Sequence, residues 1–120
     1  MIFIIGGAYQ GKLDFAKNIL GITDADVFFC EGGDVDFTKR CICSLEKFAA
    51  NCPDPVTFFE ENREKWRDSV LIMRDISCGV VPMSAEDRSS IRHAGKLAQY
   101  LGERAERVSR IFCGLELRLK

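Results

Sequence analysis

Histidine is nearly absent from this chain of 120 residues, with His93 its only example. No C-x-x-C pair occurs either; the tightest cysteine spacing is Cys41-x-Cys43. Zinc sites usually draw on closely paired Cys and His ligands. The six cysteines, at 30, 41, 43, 52, 78 and 113, are therefore expected to be reduced and mostly buried thiols. Long apolar runs are missing as well. The longest covers only four or five residues, against the roughly 20 that a membrane helix needs. No basic leader with a cleavage site precedes the first apolar stretch, so no signal peptide is expected and a cytoplasmic setting is the default. Neither sign of charge dominates: 17 basic and 18 acidic side chains leave a formal charge of −1. That balance provides no basic field to attract nucleic acid. Repeats, linkers and low-complexity segments are also lacking, and the length suits one domain over residues 1–120. Hydrophobic residues at 47% argue against disorder.

What the chain does have is a strong beginning. Ile2, Phe3, Ile4 and Ile5 form a short apolar run without polar alternation, closed by Gly6-Gly7. That is the pattern of a buried parallel strand. From Lys12 to Leu20 the apolar positions Leu13, Ala16, Ile19 and Leu20 recur at helical spacing, and Gly21 is placed to end the helix. A second strand is expected over Asp26–Cys30. A helix opened by Asp34 or Asp36 is expected next, with Phe37, Cys41, Leu45, Phe48 and Ala49 at steps of three and four. Asp54-Pro55 reads as the cap and first residue of another helix, extending to about Asp68. Val70–Ile76 reads as a strand, and residues 84–108 as the longest helix, with Ser84 and Asp87 as a capping box. Strand 110–113, Gly114 and an amphipathic strand 115–119 close the chain, with Leu115, Leu117 and Leu119 on one face. The alternation predicts an α/β fold of three layers, P-loop in type, around a mostly parallel sheet of about five strands.

Between the first strand and the first helix lies Gly6-Gly7-Ala8-Tyr9-Gln10-Gly11-Lys12-Leu13. This is G-x-x-x-x-G-K in the strand-loop-helix setting that the phosphate-binding loop requires. In such loops backbone N–H groups cradle phosphates, the lysine reaches the terminal ones, and a Ser or Thr hydroxyl meets Mg²⁺. Leu13 occupies the place of that hydroxyl. The expectation is a nucleotide site over Gly6–Leu13, with Mg²⁺ accompanying ATP or GTP. The plainer alternative is a glycine turn that only packs helix on sheet. A carboxylate for the metal or the reaction would have to come from the end of a neighbouring strand. Glu31 and Asp75 qualify, though each also reads as an ordinary solvated acid. His93, in mid-helix beside Arg92, reads as a surface residue.

The second half carries a more specific pattern. Asp75-Ile76-Ser77-Cys78-Gly79-Val80-Val81-Pro82, then Arg88, Gly95, Gln99, Ala105 and a closing strand–Gly114–strand, follow one another in order. Together with the glycine loop, this resembles the bifunctional adenosylcobinamide kinase / adenosylcobinamide-phosphate guanylyltransferase family of cobalamin biosynthesis. The register holds at both ends, over about two thirds of the chain. The resemblance implies phosphoryl transfer from ATP or GTP to a cobinamide hydroxyl. Lys12, Glu31 and Asp75 would be the catalytic residues, with Glu31 the metal or base candidate. Gly79, Val80, Val81, Pro82 and Arg88 would contact substrate, and the resemblance also implies a homo-oligomer.

The departures are as informative. Members of the family are longer, and the middle segment bearing their guanylylated histidine has no counterpart here, since no histidine precedes residue 93. Guanylyl transfer is therefore not expected. Ser77 replaces the first glycine of the family's G-x-G-x-V-P loop, and Ala98 replaces an asparagine. Two rivals stand beside the kinase: a catalytically inactive paralogue that binds a nucleotide or corrinoid, and a small P-loop kinase for another metabolite.

Overall fold

A computed structural model describes residues 1–7, 10–75 and 85–120. Ala8, Tyr9 and the segment 76–84, which holds the expected Gly79–Pro82 loop, lie outside the described residues.

The chain alternates strand and helix around one mixed sheet of six strands. Strand β1 (Ile2–Gly6) leads into helix α1 (Lys12–Leu20). A single 3-10 turn (Asp24–Asp26) precedes β2 (Val27–Phe29). Then come β3 (Cys41–Cys43), α2 (Leu45–Ala50), α3 (Pro55–Glu61), α4 (Arg63–Trp66) and β4 (Val70–Arg74). Helix α5 (Ala85–Arg104) leads to a hairpin of β5 (Arg107–Phe112) and β6 (Leu115–Arg118). The sheet order is β2-β3-β4-β1-β5-β6, parallel throughout except for the β5–β6 pair.

Strand periodicity divides the core into two layers. Phe3, Ile42, Leu71 and Met73 point to one face, where they meet Leu45 and Phe48 of α2, Phe59 of α3, Trp66 of α4, and Leu97 and Leu101 of α5. Ile4, Cys41, Cys43, Val70 and Ile72 point to the other face, against Phe15 and Ala16 of α1. Within the first layer the Trp66 indole N–H donates to the Phe59 carbonyl at 2.7 Å, so the buried ring leaves no donor unpaired.

Three expectations need correction. The single helix expected from Pro55 to about Asp68 is in fact two, α3 and α4, broken at Asn62. The sheet has six strands rather than about five, because Cys41–Cys43 is a strand and not the middle of a helix begun at Asp34 or Asp36. Phe37, Cys41, Leu45 and Phe48 keep helical spacing by coincidence. Cys41 and Cys43 are buried on one face and Ile42 on the other, which only an extended segment between β2 and β4 allows. The last helix also ends earlier and the next strand begins earlier than expected, at Arg104 and Arg107. Parallel pairing with Ile2 to Ile5 draws Arg107–Arg110 into the sheet.

Topology fixes where a ligand can sit. From β1 the chain goes through α1 to the far edge, returns to β4 beside β1, and then crosses by α5 to β5 on the other side of β1. Neighbouring β1 and β4 thus send their helices to opposite faces, and a crevice opens at their carboxyl ends. Gly6 and Arg74 are the last pair across it, and the Asp75 N–H donates to the Gly6 carbonyl at 2.8 Å.

Candidate functional site at the glycine loop

Every described part of the glycine loop is held by a specific contact. Gly6 is buried beside β5: a Cβ there would lie 2.5 Å from the Ile111 carbonyl oxygen, so no larger residue fits without displacing backbone. Gly11 caps α1 with φ 88° and ψ 25°, left-handed values that favour glycine. Its carbonyl accepts from Phe15 N–H at 2.9 Å, which starts the helix. Among the described residues no side-chain cap is seen on α1, whose N-cap is a glycine, and the N–H groups of its first turn suit an anion.

Lys12 is half-buried, and its Nζ donates to the Gly7 carbonyl at 2.7 Å, closing the loop on itself. Burial holds the Lys12 ammonium below the ordinary lysine range. The nearby Glu46 carboxylate works against that shift, while the Arg74 guanidinium adds to it.

A pocket of about 370 Å³ opens beside the loop on the α1 side of the sheet. Gln10, Gly11, Lys12 and Leu13 form one wall. Ser44, Glu46 and Lys47 from the β3–α2 junction form the opposite wall, and Cys43, Ile72, Arg74 and Phe29 complete it. The volume falls in the range of small-molecule sites. Two of the lining residues carry structural oddities. Ser44 has φ 61° and ψ 39°, a left-handed conformation costly for a residue with a Cβ, and its side chain makes no capping bond to α2. Such strain collects at functional positions. Glu46 is one of few buried polar residues among those described, and its Oε1 accepts from the Arg74 N–H at 2.9 Å. A carboxylate from α2 is thereby tied to the end of β4.

The carboxylates expected from sequence are placed differently. Glu31 is exposed, in the segment after β2, and does not line the pocket. Asp75 stands at the end of β4 but lines a separate cavity of about 230 Å³ on the α5 side, with Ile5, Met73, Ile91, Ala94, Gly95 and Ala98. That cavity exists because the small residues of α5 leave space above the sheet. Arg88 is exposed on α5. His93 is half-buried rather than on the open surface, and its Nδ1 is shielded with no hydrogen-bond partner among the described residues. Glu46, Ser44 and Arg74 were the residues sequence reasoning missed. A left-handed serine and a buried glutamate have no signature in spacing.

Among the described residues no group of three His, Cys, Asp or Glu side chains could hold a metal ion. A Mg²⁺ ion carried by phosphate oxygens needs only one or two protein oxygens. Asp14, Ser44 and Glu46 are pocket residues whose oxygens suit that part, and the Leu13 side chain has none to give. The thiols of Cys30, Cys41 and Cys43 are buried, and Cys113 is exposed. Burial pushes the Cys30 thiol up to about 12, far from the range of a reactive thiolate. No helix among the described residues is long and apolar enough to cross a membrane.

No protein-family model matches this chain, and no curated protein matches it.

Proposed function

We propose that this chain binds a nucleoside triphosphate, ATP or GTP, with its phosphates at Gly6–Leu13, as a shortened relative of the adenosylcobinamide kinases. One observation carries the reading. The end of the glycine loop, Gln10 to Leu13 with Lys12 among them, and two further cations, Lys47 and Arg74, line one pocket at the crevice where strand order reverses. Anions are favoured there by the N–H groups of the first turn of α1 and by these three cations. Incoming phosphate oxygens replace the Gly7 carbonyl as the acceptor of the Lys12 ammonium. The resemblance of residues 75–114 to the cobinamide kinases supports a corrinoid as the second ligand.

Phosphoryl transfer to a cobinamide hydroxyl is the second reading, favoured by Glu46. It is the one carboxylate in the pocket wall besides Asp14, and the Arg74 N–H orients it. Glu46 accepts the proton of the attacking hydroxyl, while Lys12 and the loop amides neutralise charge on the transferring group. Mg²⁺, when bound, would supply further neutralisation, held by Ser44 and Asp14. Glu31, outside the pocket, has no part in either reading.

Isothermal titration with ATP and GTP, alongside a radiolabelled transfer assay with Mg²⁺ and cobinamide, separates the two. Lys12→Ala is expected to weaken nucleotide binding roughly ten- to a hundredfold, the loss of a charge-assisted bond. Binding without transfer leaves the binder. Absence of binding by the unaltered protein overturns both. Leu13→Ser is expected to strengthen the Mg²⁺-nucleotide complex.

A further inference from the structure

The sheet ends at β6 with an edge that is apolar on one face and self-complementary along its length. Among the described residues β6 pairs only with β5. Leu115, Leu117 and Leu119 are 72%, 58% and 57% exposed, and Phe112 beside them is 63% exposed. Folded proteins usually blunt or cover such an edge.

The direction of the backbone groups is fixed by the hairpin. Leu115 pairs with Phe112 and Leu117 with Arg110, and the Leu119 N–H donates to the Val108 carbonyl at 2.8 Å. The odd-numbered residues therefore turn their main chain toward β5. By the alternation of an antiparallel ladder, the N–H and C=O groups of Glu116 and Arg118 face the open edge. Their side chains lie on the α1 face, where Glu116 accepts from Ser109 Oγ and from Arg107 at 2.6 Å. The leucines occupy the opposite face.

We propose that β6 of a second copy of this chain fills the edge, antiparallel, about a twofold axis at Leu117. In that register Glu116 stands opposite Arg118 of the second copy, and Leu115 opposite its Leu119. Leu117 faces Leu117. The pairs that exchange backbone hydrogen bonds are then the oppositely charged ones, and the apolar pairs all fall on the other face. Opposite charges and matched apolar residues directly across a pair are each stabilising, whereas like charges are not. A shift of two residues either way sets Glu116 against itself or Arg118 against itself, and a shift of one breaks the backbone pairing. The sequence of β6 therefore admits one register. One short strand buries less than the roughly 1,200 Å² of a durable interface, so the dimer dissociates on dilution. The inference is independent of the nucleotide reading.

Sedimentation velocity of the full chain over a dilution series tests it, with no ligand present. The expected result is a monomer–dimer equilibrium that R118E and L117K each abolish while circular dichroism stays unchanged. L117C in a C113S background is expected to give a covalent dimer on oxidation. The paired Cα atoms would be about 4.5 Å apart, within disulfide reach. A protein that stays monomeric at every concentration overturns the proposal. So does a dimer that withstands R118E and L117K and gives no L117C cross-link.

Discussion

Gln10 and Cys113, separated by 103 positions in sequence, are joined at the carboxyl edge of the sheet: the Cys113 N–H donates to Gln10 Oε1 at 2.6 Å. The Gly114 N–H donates to the Gln10 carbonyl at 2.8 Å as well. Cys113 and Gly114 both have positive φ, 51° and 76°, as the two-residue turn of a tight hairpin requires. Gln10, where the glycine loop meets α1, is thus tied to the far end of the chain. It rests on the turn of the last hairpin, whose β5 strand also runs beside Gly6.

That support makes Gly6 the least replaceable position of the loop. Gly6→Ala would drive a methyl group into the Ile111 carbonyl. The expected cost is about 1–3 kcal/mol, as for overpacking elsewhere, read as a lower urea midpoint at unchanged slope. A variant as stable as the parent would mean that β1 and β5 are less closely apposed than described.

Glu46→Gln separates binding from catalysis at one position. Glutamine keeps an oxygen to accept the Arg74 N–H but removes negative charge from beside Lys12. Nucleotide affinity is expected to rise a few-fold, on the order of 1 kcal/mol at a high effective dielectric. Glu46 raises the Lys12 pKa, so its removal lowers that pKa further, and the alkaline loss of affinity moves to lower pH. If Glu46 also accepts the substrate proton, transfer falls by roughly 10²-fold or more in the same variant. Titration calorimetry across pH and a transfer assay read the two effects apart.

Ser44→Gly relieves backbone strain at the β3–α2 junction. Glycine adopts φ 61° without penalty, and the serine side chain contributes no cap that would be lost. A gain of about 1 kcal/mol is expected from denaturant unfolding. Weaker nucleotide binding in a more stable protein would show that the strained serine serves the pocket; destabilisation would show that its hydroxyl has a structural role.

Tyr100 gives the fold an alkaline limit. Its hydroxyl donates to Glu60, and the Arg104 guanidinium lies 4.0 Å from its ring centroid. Burial first, then the bond to Glu60, raises the phenol from 10.0 to about 12. A folded-state pKa above the unfolded one favours the native protonated form. Its contribution is complete below pH 10 and is lost as pH rises toward about 12. The slope of stability against pH in that window should be shallower in Tyr100→Phe than in the parent. A phenolate absorbance titration of the two proteins should differ by one late-ionising group.

Local sequence sufficed wherever residue type and spacing agree with one structure. Ile2–Ile5 could only be a covered strand, and Gly11 and Gly21 bracket α1 because left-handed caps select glycine. The alternating Leu115, Leu117 and Leu119 fall on one face, as the pattern predicts; that this face is exposed is a tertiary fact, because α5 packs over β1 and β4 and leaves β6 uncovered. Cys41–Cys43 was illegible because three buried residues carry no period of their own, and the flanking Phe37, Leu45 and Phe48 mimic a helix. The wall of the pocket opposite Lys12 followed from that strand. Only the placement of β3 between β2 and β4 brings Ser44 and Glu46 to the edge where the glycine loop ends. The amino acids thus determined the loop and its lysine, since those depend on neighbours a few residues away. Which carboxylate faces that lysine depended on strand order, and strand order is set by how distant segments share one core.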